Sequence, residues 1–538
     1  METEIHCNGT ILALTVALAA VVEHQSSAAT HYVSQTSPNP SPPYSTPDTA
    51  AHSIQDAVDV TTDGDSVLVA PGDYGVTNQI TVTNAIFLQS TGGASQTFLT
   101  GYGGLGQGTW CLGISNALAV ANGFCFRPAD ADPGAPGGAV LVGGTIQNCT
   151  FTNFFSARNF GGAILVSGGT LSNVIVAYYR GISPDGVAVY CSGSGLVTDS
   201  QILANPGYNV DGGAIALVNS RLQNSVISGS PNPSRVSGPA VSAISSTVAG
   251  CTISNNYSLG KGGGAYLQDS LMDRCIVTGN GAGSTYLGSG GGGIFETNST
   301  IRDSLIVSNR AVVGDGGATY GGLGGGVYMQ GGALLNCTVS GNSAQEYTNP
   351  GLPGGGGGVY AESGGITNCI LYFNYLDADR ASTNWLNVGP AIFDHCCTAP
   401  DPGGAGDITQ DPQFVGMASG NYHLAASSPC LGTGVVQPWM TGAHDLDGNP
   451  RTTSNAVDMG AYQTPSARPL LAISSSGANI TLFWPSAGTE GFVLEQSADL
   501  GMPQNWTTNT ATVTDDGSSK SVTIPATNNL QFFRLHLL

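Results

Sequence analysis

Basic residues are scarce in this chain. Lysine occurs twice, as Lys261 and Lys520, and only 14 of 538 residues are Lys or Arg against 35 Asp or Glu, a formal charge of −21. A nucleic-acid backbone or an anionic membrane is recognised by clustered cations, so both are excluded as partners. A polyanionic sugar would need a bridging divalent cation, whereas a neutral glycan would meet no repulsion. Charged residues of both signs reach only 9%, yet hydrophobics stand at 41% and recur as short Val, Ile and Leu runs, which excludes disorder.

Long apolar runs are also missing. Residues 11–22 form an apolar run of twelve, too short to cross a bilayer but the length of a signal-peptide core, and the small residues Ser26 to Ala29 follow. Residues 1–29 are therefore expected to direct export, leaving no transmembrane segment after cleavage. Met1 to Thr10 carries Glu2 and Glu4 and no Lys or Arg, unlike an ordinary signal n-region, which puts the true start in question. A buried N-terminal strand is the other reading. The repeated part of the chain lacks the 3.6-residue period of helices, and no paired Cys-x-x-Cys spacing marks a metal site.

What is abundant is glycine, at 79 copies, and it is periodic. Glycine clusters at Gly161, Gly212, Gly262, Gly291, Gly324 and Gly356 open related segments, such as GGGAYLQDSLMDRCIVTGN and GGGVYMQGGALLNCTVSGN, and the internal period is about 24 to 33 residues. Each copy holds two runs that alternate apolar with polar or small residues. Strands this short form no stable sheet alone, but a coiling chain pairs each in parallel with its equivalents above and below. The expected fold is all-β, a right-handed parallel β-helix. One slot of the second run holds Cys149, Val174, Ser200, Ser225, Cys251, Cys275, Ser304, Cys337 and Cys369, as a narrow interior column requires. Five residues later, Asn256, Asn280, Asn309, Asn342 and Asn374 form a second column, expected to be a stacked amide ladder at a tight turn.

At a strand spacing of about 4.8 Å, Cys251 with Cys275 and Cys337 with Cys369 fall within disulfide range. Because Ser and Val occupy the same slot, packed free thiols are the favoured reading. Cys396 and Cys397 with Cys430, and Cys111 with Cys125, lie outside that column and are expected to oxidise after export.

The turn AHSIQDAVDVTTDGDSVLVAPGDY and the copies ending NCTVSGN resemble secreted bacterial right-handed parallel β-helix proteins of the pectate-lyase-like superfamily. DPQFVGMASGNYHLAASSPCLGTG, followed by DLDGNPRTTSNAVDMGAYQ, resembles the region called choice-of-anchor Q. The implied organisation is a signal peptide (1–29), an N-terminal cap with the first coils (30–136), repeats (137–385) and the end of the helix with the choice-of-anchor Q-like region (386–464). A small β-sandwich follows (469–538). The superfamily includes lyases, hydrolases, adhesins and proteins without activity, so fold does not select a chemistry.

With Ile294, Val327 and Val359 facing inward, Tyr266, Phe295, Tyr328 and Tyr360 face outward on successive turns, a candidate stripe for stacking sugars. The same rings could instead be covered and simply pack. Candidate acids are Asp269, Asp273, Glu296, Asp303 and Asp315, and a paired set could hydrolyse a glycosidic bond at about 5–10 Å. Lys261, near Arg274 and Arg310 in repeat position, is the one lysine in the helix that could serve a lyase as base. Asp445, Asp447 and Asn449, with Asp458 substituting for the missing distal acid, have the spacing of a calcium loop; a turn built on Gly448 to Pro450 explains the same residues. No cofactor is expected unless it is calcium. The leading expectation is an exported or cell-surface monomer that binds polysaccharide or cell-surface glycan without catalysis. The alternatives are a polysaccharide lyase or glycoside hydrolase, and a structural spacer.

Overall fold

The computed structural model describes residues 28–538 apart from segments 103–109, 130–136, 157–160, 182–186, 204–212, 230–237, 285–289, 314–321, 346–354, 378–382, 453–455, 465–470, 487–488, 490–491, 499–505, 527–530 and residue 538. The signal-peptide reading and Asp315 thus lie outside the described residues.

The repeats wind into a parallel β-helix with three main strands per coil rather than two, and several coils add a short fourth strand, Gly281–Ser284 among them. In one coil the main strands are Ala265–Gln268, Leu271–Asp273 and Ile276–Thr278. Left-handed residues break the run: Asp269 (φ 50°) separates the first two strands and Arg274 (φ 50°) the second two. Asn, Asp, Ser or Gly fill most of these corners, at Asn148, Asn173, Asp199, Asn224, Gly250 and Asp303 for example, because their side chains tolerate positive φ best. The first two strands of all coils share a 24-stranded sheet and the third strands form a 13-stranded one. Register is strict: Ala265 pairs Ile294, which pairs Val327, which pairs Val359. Ile294, Val327 and Val359 are buried and face inward, as read from the sequence.

Three polar ladders run through this apolar interior. The amides of Asn256, Asn280, Asn309, Asn342 and Asn374 are buried, each donating to the next at 3.0 Å, and Asn384 extends the series at 3.3 Å. The Cys/Ser column works the same way. Ser200 Oγ donates to the carbonyl two residues earlier and accepts the Val174 amide from the preceding coil, while Ser304 Oγ accepts the Cys275 amide at 3.0 Å. A thiol or hydroxyl fits the slot because both donate and accept. A parallel column, Ser220, Ser246, Ser270 and Ser299, was not read from the sequence.

The first coil is closed by strand Thr30–Val33, which pairs with Ser66–Val69, and by helix Ile54–Asp59, which buries Ile54, Ala57 and Val58 and is capped by Ser53. At the other end, Trp385–Asn387, Ile392–Asp394 and Cys397–Thr398 complete the last coil. The chain then folds back along the outer face of the third-strand sheet. Tyr422 packs on Leu305 and Val307, and Cys430 and Met459 pack on Ile370 and Cys397. Residues 472–537 form a four-stranded and a three-stranded antiparallel sheet around Leu482, Trp484, Leu494 and Val522, the small sandwich expected.

Candidate functional site

The aromatic stripe stands on the outer face as read, but it is closed. Ring centroids from Tyr266 through Phe295 and Tyr328 to Tyr360 are 5.8, 4.6 and 4.9 Å apart, the first two pairs near-parallel. Phe295, Tyr328 and Tyr360 are 0, 2 and 7% exposed, with Leu323 and Leu386 packed against them. The strand spacing of about 4.8 Å is also a ring-stacking distance, so strict register turns each ring face toward the next ring instead of toward solvent. The stripe is therefore corrected from a sugar platform to a packing ladder. Lys261 is drawn to it as well, its ammonium 4.5 Å from the Phe295 centroid in a cation–π contact.

The acids divide. Asp269 is exposed at a corner, and Asp273 is held by Arg302 (2.7 Å) and Arg274 (3.3 Å). Glu296 points into the coil, where the Ser299 amide donates to Oε2 at 2.9 Å and Oε1 has no partner. Burial raises its pKa to about 8. Asp303 is fully buried beneath the C-terminal segment, its Oδ1 3.4 Å from Nε of the equally buried Arg451, and desolvation lifts its pKa to about 7. Glu296 and Asp303 are both enclosed, so among the described candidates neither stands open to a substrate.

The residues of the calcium reading are engaged by backbone amides. Asp445 Oδ1 accepts the amides of Asp447 (3.1 Å) and Asn449 (2.6 Å), and Oδ2 accepts that of Gln463 (2.7 Å). Asp458 takes the amides of Gly432 and Thr464, each at 2.7 Å, and Asp447 turns away to His423 at 2.6 Å. The carboxylate lone pairs that would coordinate a cation are aimed at N–H groups. The charge they surround is the Arg451 guanidinium, whose NH2 group also donates to the carbonyls of Asp458 and Gly460. Among the described residues no three His, Cys, Asp or Glu side chains are grouped to hold a metal ion.

An open groove of about 700 Å³ lies beside the closed stripe, around the corner between first and second strands. Ser245, Asp269 and Asn298 stack along its rim, exposed on successive coils. Thr247, Leu271 and Thr300 pave its floor from the outer face of the second strands, and Arg302 and Trp439 form one wall. Trp439 is half-buried, its indole N–H bonded to Gln437 Oε1 at 2.6 Å and its ring 5.0 Å from the Arg302 guanidinium. A hydrophobic plane, a fixed cation and a row of hydroxyl, carboxylate and amide groups thus share one concave surface, the row standing at a corner position that recurs every coil. Of its residues, Asp269 alone was singled out from sequence. Trp439 lies far from Arg302 along the chain, and no repeat or spacing signals their meeting.

No family model matches the chain, and no curated protein matches it. Solved structures similar to it include pectate lyase Pel9A (13% identity, 81% of this chain and 97% of that one, TM-score 0.35) and a mutant of the PL6 family alginate lyase AlyGC (12%, 79% and 60%, 0.38). Another is tailspike protein gp49 of Acinetobacter baumannii bacteriophage Fri1, a capsular polysaccharide depolymerase (11%, 94% and 83%, 0.26). At these scores the likeness carries no inference about chemistry, and the fold rests on the strand register.

Proposed function

We propose that this is an exported, monomeric β-helix protein, released or held at the cell surface, that binds a neutral polysaccharide in the groove beneath Trp439 without cleaving it. The observation that carries the reading is the groove itself: an indole wall over a rigid parallel sheet, with polar rim groups repeating at the coil spacing of about 4.8 Å. An indole offers its face to apolar sugar C–H groups, and the rim offers donors and acceptors to hydroxyls. The acidic surface disfavours a uronate chain. Export rests on the apolar run at 11–22, and surface retention on the resemblance of residues 386–464.

The absence of catalysis is supported by the state of the acids. Asp273 is neutralised by two arginines, Glu296 and Asp303 are enclosed, and Lys261 is engaged on Phe295. Hydrolysis of the same chain would have to use Asp269, the exposed carboxylate on the groove rim. Affinity electrophoresis through neutral and uronate polysaccharides, paired with an assay for new reducing ends and unsaturated products, separates these readings. Retention by a neutral glycan should weaken at least about tenfold in Trp439→Ala, while Tyr266→Ala leaves it unchanged. New ends abolished by Asp269→Asn would replace binding by catalysis, and no retention on any glycan would leave a spacer.

A further inference from the structure

Two cysteines from different layers of the molecule meet behind the groove-bearing helix. Strand neighbours point to opposite sides, so in the last coil Cys396 turns inward and joins the Cys/Ser ladder, its Sγ 3.6 Å from the Asp394 carbonyl two residues before it. Cys397 turns outward. The segment folded over that face supplies Cys430, and both residues are fully buried and packed in one cluster with Ile370 and Met459. Cys397 Sγ also donates to the Gln410 carbonyl of the overlying segment at 3.3 Å. The paired ladder thiols are engaged differently. Cys251, Cys275, Cys337 and Cys369 each donate to the carbonyl two residues earlier, and Cys275 and Cys369 also accept an amide from the preceding coil. Cross-linking them would break contacts that set the register.

We propose that Cys397 and Cys430 are a disulfide-forming pair that fastens the C-terminal segment to the last coil. Of the cysteines expected from sequence to oxidise, this assigns a bond to Cys397 and Cys430, both buried thiols in the structure. The oxidant is a small-molecule or protein disulfide. One cysteine thiolate attacks it and releases one donor thiol; the second thiolate then attacks the mixed disulfide, forming the Cys397–Cys430 bond and releasing the other. The two cysteine protons pass by way of solvent to the released donor sulfurs, and the two electrons remain on the donor, now a dithiol or two thiols. Because both sulfurs are enclosed once the segment docks, exchange occurs during folding, before the layer closes. The proposal does not depend on glycan binding.

The full chain, unfolded in reductant and refolded in mixed oxidised and reduced glutathione, is alkylated and mapped by mass spectrometry without reduction. The expected map has one dominant cross-link, Cys397 to Cys430, with the ladder cysteines alkylated only after denaturation. Proteolytic release of residues 405–464 should be at least about tenfold slower in the oxidised form. That difference should vanish in Cys430→Ser and persist in Cys251→Ser; if Cys430→Ser does not fold, the map of the natural chain decides. Refolded protein with native circular dichroism in which Cys397 and Cys430 are separately alkylated, or linked to other cysteines, would overturn the proposal.

Discussion

Glu296 fills an inward slot that the coil before it gives to Leu267 and the coil after it to Met329. In the next coil the first two strands run on as Val327–Leu335, and the amides of Gln330 and Gly331 approach the carboxylate. These bonds do not offset desolvation, and the folded pKa stands at about 8 against an ordinary 4.5. The folded state holds a proton that the unfolded chain releases. The associated stability is fully present below about pH 4.5 and is lost as pH rises toward 8, on the order of a few kcal/mol. Urea midpoints measured from pH 5 to 8.5 should therefore fall for the natural protein and fall much less for Glu296→Gln. An equal slope in both would mean that the carboxyl is ionised inside the fold. Asp303, raised to about 7, contributes in the same direction and should leave a residual slope.

At the scale of the coil, the ladders convert buried polar groups into registration devices. Asn309 Oδ1 accepts both the amide and side-chain nitrogen of Asn280, while its own Nδ2 donates to Asn342 and to the Val277 carbonyl. Asn309→Ala would orphan donors on one side and acceptors on the other, at a cost of about 2–4 kcal/mol in chemical unfolding, with loss of amide protection concentrated in the adjoining coils. The Cys/Ser column should be more forgiving in one sense only. Ser304→Cys keeps a group that donates and accepts and should change stability by less than about 1 kcal/mol, whereas Ser304→Ala leaves the Cys275 amide unpaired and should cost about 1–3 kcal/mol. Equal effects of the two would show that the slot selects size alone.

Across the whole molecule, the contact between the helix and its overlying segment turns on the fully buried pair Asp303 and Arg451. Its orphaned atoms, Asp303 Oδ1 and Oδ2 and Arg451 Nε and one terminal nitrogen, make it a poor source of net stability. Removing one partner is a different matter, because it strands a buried charge. Arg451→Met should destabilise by about 3–5 kcal/mol and expose residues 405–464 to protease, and the double change Asp303→Leu with Arg451→Met should recover most of the loss. If the double variant is no better than the single one, the pair is itself a stabilising contact. The groove depends on the same docking, since Trp439 reaches Arg302 only when the segment is in place.

The helix was legible in the sequence because stacking makes every coil repeat the same local problem. Glycine clusters, the Cys/Ser slot and the Asn slot each recur with the coil, and inward against outward follows from strand alternation, so Ile294 could be faced inward and Phe295 outward. Three strands per coil escaped because the corners are set by left-handed residues as different as Asp269, Arg274 and Asn298, a property of φ that residue type marks only loosely. Whether an outward side chain meets water was not legible at all. That depends on what the rest of the chain lays over it: ring upon ring at Phe295, Arg451 upon Asp303, Trp439 upon Arg302. Local periodicity determined the coil and the side each residue takes. Contacts between segments far apart in sequence, which follow no period, decided which outer surfaces are closed and which groove stays open.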